Sequence, residues 1–247
     1  MLRVLRAELL KLKGSKAEWG TVAIVVSFAL LTISMSQLGD AGASGITWES
    51  TLALGPQFMA AWWGLLVFGL AAASLFGSEF SDGTAASMLT TPIRREYFVA
   101  AKMLVLALWV LALALVAVAG QSLAAVVLGA SGFAWAIIWS SLGNCLLVAA
   151  MIYLTLPVVA LISMLGRGYI APMLYSTGLT ALSMTAAFLD WERWLPWAMP
   201  LTVAGGIAPP GFIDKGLPAA SWALLLAVFV VGLAAVFVYV NRVGDPS

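Results

Sequence analysis

The sequence predicts an all-α membrane protein: six transmembrane helices, an N-terminal amphipathic interfacial helix, and a short cytoplasmic helix between spans 2 and 3. Three observations predict it. Hydrophobic residues make up 63% of 247 and charged residues 9%, whereas soluble domains run about half apolar and a quarter charged, so a water-soluble core does not account for this chain. Charge is also confined, with uncharged runs at 50–78 and 103–166 flanking a charged stretch at 79–102. Finally, the basic residues fall almost entirely on one side of the predicted spans.

Taken in order, residues 1–18 form a first unit. Leu2, Leu5, Leu9 and Leu12 share one helical face, with Arg3, Glu8 and Lys11 on the others. Such a basic amphipathic helix lies along a membrane interface, with Gly14-Ser15 as its turn into the bilayer. The same residues also read as a plain basic topology anchor. The rest of the chain, 19–247, reads as one six-helix transmembrane domain. A bilayer core takes roughly 20 apolar residues per helix, and six stretches fit: 20–38, 54–78, 103–129, 133–165, 168–189 and 219–241. The first, followed by Ala41-Gly42-Ala43, imitates a signal peptide. Its 19 residues exceed the roughly 7–15 of a signal core, so it is read as a retained span. In the fourth, Pro157 predicts a kink or a frayed cytoplasmic end. The fifth is rich in Ser, Thr and Gly and suits packing against other helices.

Orientation follows from Lys and Arg. Arg3, Arg6, Lys11, Lys13, Lys16, Arg94, Arg95, Lys102, Arg167 and Arg242 fall on one side; Arg193 and Lys215 fall on the other. The positive-inside rule puts both termini and 79–102 in the cytoplasm. The connection 190–218 then lies outside. Trp191, Trp194 and Trp197 recur in it, with Pro196, Pro200, Gly205-Gly206 and Pro209-Pro210-Gly211. Indoles favour the headgroup region and this Pro/Gly density forbids a continuous helix, so a compact extracellular cap is expected.

The charged stretch reads locally as helix, turn, short helix, turn, helix. Glu79 ends the second span, and Ser81-Asp82-Gly83-Thr84 is rich in caps and turn formers. Residues 85–89 can make one or two helical turns. Thr91 caps again, and Pro92 takes the first helical position, where its missing N–H costs nothing. A short helix held between two long spans is well placed to take a push from a soluble partner.

Glu79, Gly83, Thr84, Leu89, Pro92, Arg94, Arg95, Tyr97 and Lys102, in this order between the second and third spans, resemble the signature of type-2 ABC transporter permeases. These are the membrane subunits of bacterial exporters of drugs, antibiotics, peptides and polysaccharides. The resemblance implies that 79–102 is the coupling segment that docks on a separate ABC ATP-binding subunit, present in two copies. It also implies a second permease copy or a homologous permease, and location in the bacterial cell membrane. ATP and Mg would be bound by the partner ATPase, with no cofactor in this chain. Arg94 stands where the family often has Ser, which leaves open which arginine makes the family contact. Singly, Arg94, Arg95 and Lys102 also read as topology anchors and Glu79 as a solvated helix end; the ordered set carries the resemblance. A compact permease of this length further resembles those giving protection against bacitracin or lantibiotic peptides.

Composition excludes other chemistries. No histidine and one cysteine, Cys145, leave no internal disulfide, His-ligated metal or imidazole-based nucleophile. No phosphate loop occurs, so no ATPase or other enzyme activity is expected here. A net charge of +1 with no basic tract gives no sign of nucleic-acid binding. The predicted spans carry no Asp, Glu, Lys or Arg, which argues against an ion-coupled carrier. A membrane-embedded lipid-modifying enzyme or a scaffold is the alternative, with Asp190, Glu192 and Asp214 as its nearest polar group. Gln121, Asn144, Ser140 and Trp62-Trp63 are candidates to line a pathway or to bond between helices, and no substrate-binding residue is assigned.

Overall fold

A computed structural model describes residues 15–38, 45–81, 95–205 and 216–243. Most of the expected amphipathic helix, the short helix at 85–89 and the 206–215 part of the cap lie outside the described residues. The helices are α1 (Lys16–Leu38), α2 (Trp48–Phe58), α3 (Gly64–Ser81), α4 (Arg95–Val127), α5 (Trp135–Leu165), α6 (Ile170–Phe188), α7 (Met199–Val203) and α8 (Ala219–Val243). Among the described residues five helical runs are long and apolar enough to cross a membrane: Ala17–Ser34, Trp48–Gly77, Tyr97–Val127, Trp135–Leu165 and Ala219–Arg242. The chain is thus an all-α multi-pass membrane protein. The expected fifth span is the 19-residue α6; its Ser, Thr, Gly and Pro content keeps it out of that set of five.

Long-range contacts align the helix ends. Ser74 near the end of α3 meets Glu18 at the start of α1, and Lys102 near the start of α4 meets Leu75 of α3. Tyr239 near the end of α8 reaches Met164 at the end of α5. These ends form the basic end of the bundle, beside residues 82–94. At the opposite end, residues 45–47 pair with the α4–α5 connection: Trp48 N donates to Ser131 O (3.0 Å) and Ser131 N to Ile46 O (2.9 Å). Trp48, Phe133 and Trp135 stack edge-on above this pair, with centroids 4.8 and 5.4 Å apart.

The second span begins earlier than its hydropathy suggests. Thr47 and Ser50 form a reciprocal cap that starts α2 at Trp48, satisfying two otherwise orphaned backbone donors. Pro56 lies inside α2, where it cannot donate to Leu52 O. The Ser141 hydroxyl of α5 donates to that carbonyl instead, at 3.1 Å in a buried setting. One π-helical turn, Met59–Trp63, then joins α2 to α3; a widened turn next to a proline is a common way to absorb the disturbance. Gly64 closes it. A Cβ there would collide with Met59 O and lie 2.6 Å from Ile152 Cδ1, so any larger residue overpacks the turn.

The core sits between α3, α4 and α5, with Phe68, Phe76, Leu106, Leu113 and Leu156 fully buried. Helix α5 continues past Pro157 to Leu165, so the proline does not fray its end. Gly232 lets α8 approach there: a Cβ would meet Pro157 Cβ and Val158 Cγ2 at 3.1 Å. The connection after α6 is a chain of turns and the short α7. Its Ala198, Met199 and Leu201 are buried, and Ser221 of α8 donates to Arg193 O at 2.6 Å. Trp191 and Trp194 are exposed, whereas Trp197 packs edge-on against Tyr175, centroids 6.3 Å apart.

Candidate functional site at the base of residues 82–94

Helices α3 and α4 end and begin at residues 81 and 95, so these two helices flank residues 82–94 in the chain. Gly83, Thr84, Leu89, Pro92 and Arg94 lie outside the described residues. Glu79 falls in the last turn of α3 and Arg95 opens α4, without described side chains. Tyr97 is exposed on the first turn of α4.

Lys102, expected as a coupling residue or else as a topology anchor, is not at the surface. It is 1% exposed and lies within the apolar run Tyr97–Val127. Its ammonium donates to Leu75 O and sits 4.8 Å from the Phe98 ring centroid and 5.7 Å from that of Phe76. Leu75 lies inside α3, which runs on to Ser81, and a carbonyl within a helix keeps a second lone pair for the ammonium. Aromatic faces add attraction once the ammonium is desolvated. Lys102 therefore ties the helix entering 82–94 to the helix leaving it.

A second buried ionisable group adjoins this tie. Glu18 is also 1% exposed. Its carboxylate Oε1 accepts from the Ser74 hydroxyl, one residue before Leu75, and its Oε2 is buried without a hydrogen-bond partner among the described residues. Thr21 donates to Glu18 O at 2.6 Å, and the Trp109 indole of α4 donates to Thr21 Oγ1 at 3.2 Å. The three helices are thus linked in pairs by polar contacts: α1 to α3, α3 to α4 and α1 to α4.

The expectation of charge-free spans is corrected here. Glu18, Glu49 and Lys102 fall inside apolar runs and Arg242 closes one, because helix geometry extends each run beyond its apolar core. Sequence reasoning also missed Glu18, Ser74 and Trp109. The available signal was a lone carboxylate between Lys16 and an apolar run; it reads as the end of the amphipathic helix and instead sits in the first turn of α1.

The pathway candidates divide. Gln121 is buried and its amide donates to Thr32 of α1 at 3.1 Å, and Trp63 is packed in the core. Ser140, Asn144 and Trp62 face outward. Cys145 is buried. Among the described residues no group of His, Cys, Asp or Glu could hold a metal ion.

Comparison with known proteins bears on this arrangement. The family described as ABC-2 family transporter protein matches residues 4–183, a span that contains α1 to α5, the whole 79–102 stretch and the polar links at its base. The chain belongs to the ABC-2 transporter family. It is a type-2 ABC permease, a non-catalytic membrane subunit that works with a separate ATPase. Over 180 residues it is 21% identical to a bacitracin transport permease protein, BCRB, of Bacillus licheniformis, covering 73% of this chain and 85% of that protein.

Proposed function

We propose that this permease exports an amphipathic peptide antibiotic or a compound of that type, giving its bacterial host resistance or immunity. The likeness to a bacitracin transport permease supports the cargo class. The working unit pairs two permeases, identical or homologous, with two ATP-binding subunits that hold ATP and Mg. All six apolar stretches cross the cell membrane, α6 packing one face, with Pro172, Ser176, Ser183 and Ala186, against the bundle. Both termini and 79–102 lie in the cytoplasm, 190–218 caps the outer face, and the N-terminal amphipathic helix flanks the same cytoplasmic surface as 79–102.

In this reading 79–102 docks on the ATPase. Glu79, Gly83, Thr84, Leu89, Pro92, Arg94, Arg95 and Tyr97 shape or contact that interface, and Lys102 anchors it. The observation that carries the reading is the Lys102–Leu75 link: with α3 and α4, which flank 82–94, joined to each other, a displacement of this segment drives both helices as one unit. The test is ATP-dependent export of bacitracin from cells or inverted vesicles carrying Glu79→Ala or Arg95→Ala. Lost export with normal membrane insertion is expected. Undiminished export by both variants would overturn the coupling role.

A further inference from the structure

Helix α1 exposes Trp19, Ile24, Val26, Leu30 and Leu31 on its outer side. Its apolar contacts alone leave its rotation about its own axis weakly defined, because lipid tails are as apolar as its leucines. Three polar contacts set it: Glu18 with Ser74, Thr21 with Trp109, and Thr32 with Gln121. The first is costly. A buried carboxylate with one hydroxyl donor and an unpartnered second oxygen loses much of its hydration, and an apolar residue of similar volume would pack there at less expense. Stability does not account for a carboxylate at this position; directional bonding does.

We propose that Glu18 is a positioning residue for transport: through Ser74 it fixes α1 to α3, so that α1 moves with the helix pair flanking 82–94. This rests on the coupling role given above to 79–102. Glu18 and Lys102 grip consecutive residues of α3, Ser74 and Leu75. Thr21 and Trp109 close the third side. The result is a triangular brace of α1, α3 and α4, and a push delivered at 82–94 reaches all three helices without loss to slippage. Glu18 is the corner that holds the first span.

The test uses the complete complex of permease and ATPase in lipid vesicles, with bacitracin as the transport probe. Val26→Cys on α1 and Leu108→Cys on α4, both exposed, carry spin labels in a Cys145→Ala background. With Glu18 intact, the label distance is expected to be narrowly distributed and unchanged when Mg-ADP-vanadate is trapped. Glu18→Ala and Ser74→Ala are expected to broaden or shift it on trapping and to cut bacitracin exported per ATP hydrolysed by ~10-fold, the scale of one lost hydrogen bond to a charged group; in Glu18→Ala the Ser74 hydroxyl keeps Ala71 O as its acceptor. Glu18→Gln, which keeps an acceptor oxygen, is expected to restore both readouts. A purely structural role would lower the amount of assembled complex without altering export per ATP.

Narrow, unchanged distances and wild-type export per ATP in Glu18→Ala would overturn the proposal. If that variant does not accumulate, the same two results in Ser74→Ala overturn it. Loss of export in Glu79→Ala and Arg95→Ala with none in the Glu18 and Ser74 variants would remove the brace and leave the coupling role standing. Unaffected export in all four would remove both.

Discussion

The two ends of the bundle are fastened by different chemistry. At the basic end, α1, α3 and α4 are cross-linked by buried polar contacts in which a carboxylate and an ammonium take part. At the opposite end the fastening is aromatic and backbone: the Trp48–Phe133–Trp135 cluster, the pairing around Ser131, and the apolar plug of Met199 and Leu201. Aromatic pairs add about 0.5–1.5 kcal/mol beyond their area burial, whereas a buried polar group that loses its partner costs about 1–3 kcal/mol. Removal of a contact is therefore expected to cost more at the basic end, where the proposed coupling segment joins the bundle.

The largest effect separating the ends is expected from Lys102→Glu. It sets a buried carboxylate against Leu75 O and two ring faces, and about 3–5 kcal/mol of destabilisation follows from an uncompensated buried charge. Little folded protein should be recovered on size-exclusion chromatography in mild detergent. Lys102→Met keeps the stem and loses the bond; about 2 kcal/mol is expected, as for a hydrogen bond to a charged group, read as a lowered thermal midpoint.

At the middle of the second span, Gly64→Ala should cost about 1–3 kcal/mol through overpacking of the π-turn, and Ser141→Ala about 1 kcal/mol by leaving Leu52 O unpaired. Detergent unfolding followed by tryptophan fluorescence measures both. The smallest effect is expected at the aromatic end: Trp191→Phe, at an exposed site, should stay within ~0.5 kcal/mol. A large loss there would erase the contrast between the ends.

The all-α class and most spans were legible because apolar run length is a property of composition. The boundaries were less so. The second span starts at Trp48 because Thr47 and Ser50 cap each other, a local signal that a hydropathy window averages away. Proline ordinarily interrupts a helix, yet this one passes through Pro56 because Ser141, on a different helix, donates to the carbonyl left free; such a partner is visible only in three dimensions. Lys102 was singled out by its place in an ordered motif, but residue type says nothing of burial, and counting basic residues made it an anchor at the surface. Glu18 was missed because the first apolar stretch was drawn from residue 20, whereas α1 starts at Lys16. For Asn144 and Gln121 the sequence showed the same thing, an amide in an apolar helix, and only packing separates the outward one from the buried one.

In the proposed mechanism a separate ATPase drives this permease by acting on 79–102. Its most direct test is quantitative mass spectrometry of everything that co-purifies with the chain from its native membrane in mild detergent, for the unaltered chain and for one lacking residues 83–92. A stoichiometric partner carrying a phosphate loop, retained by the first and lost by the second, is the predicted result. Absence of any such partner under conditions that keep the chain folded, or its equal retention by both, would contradict the account.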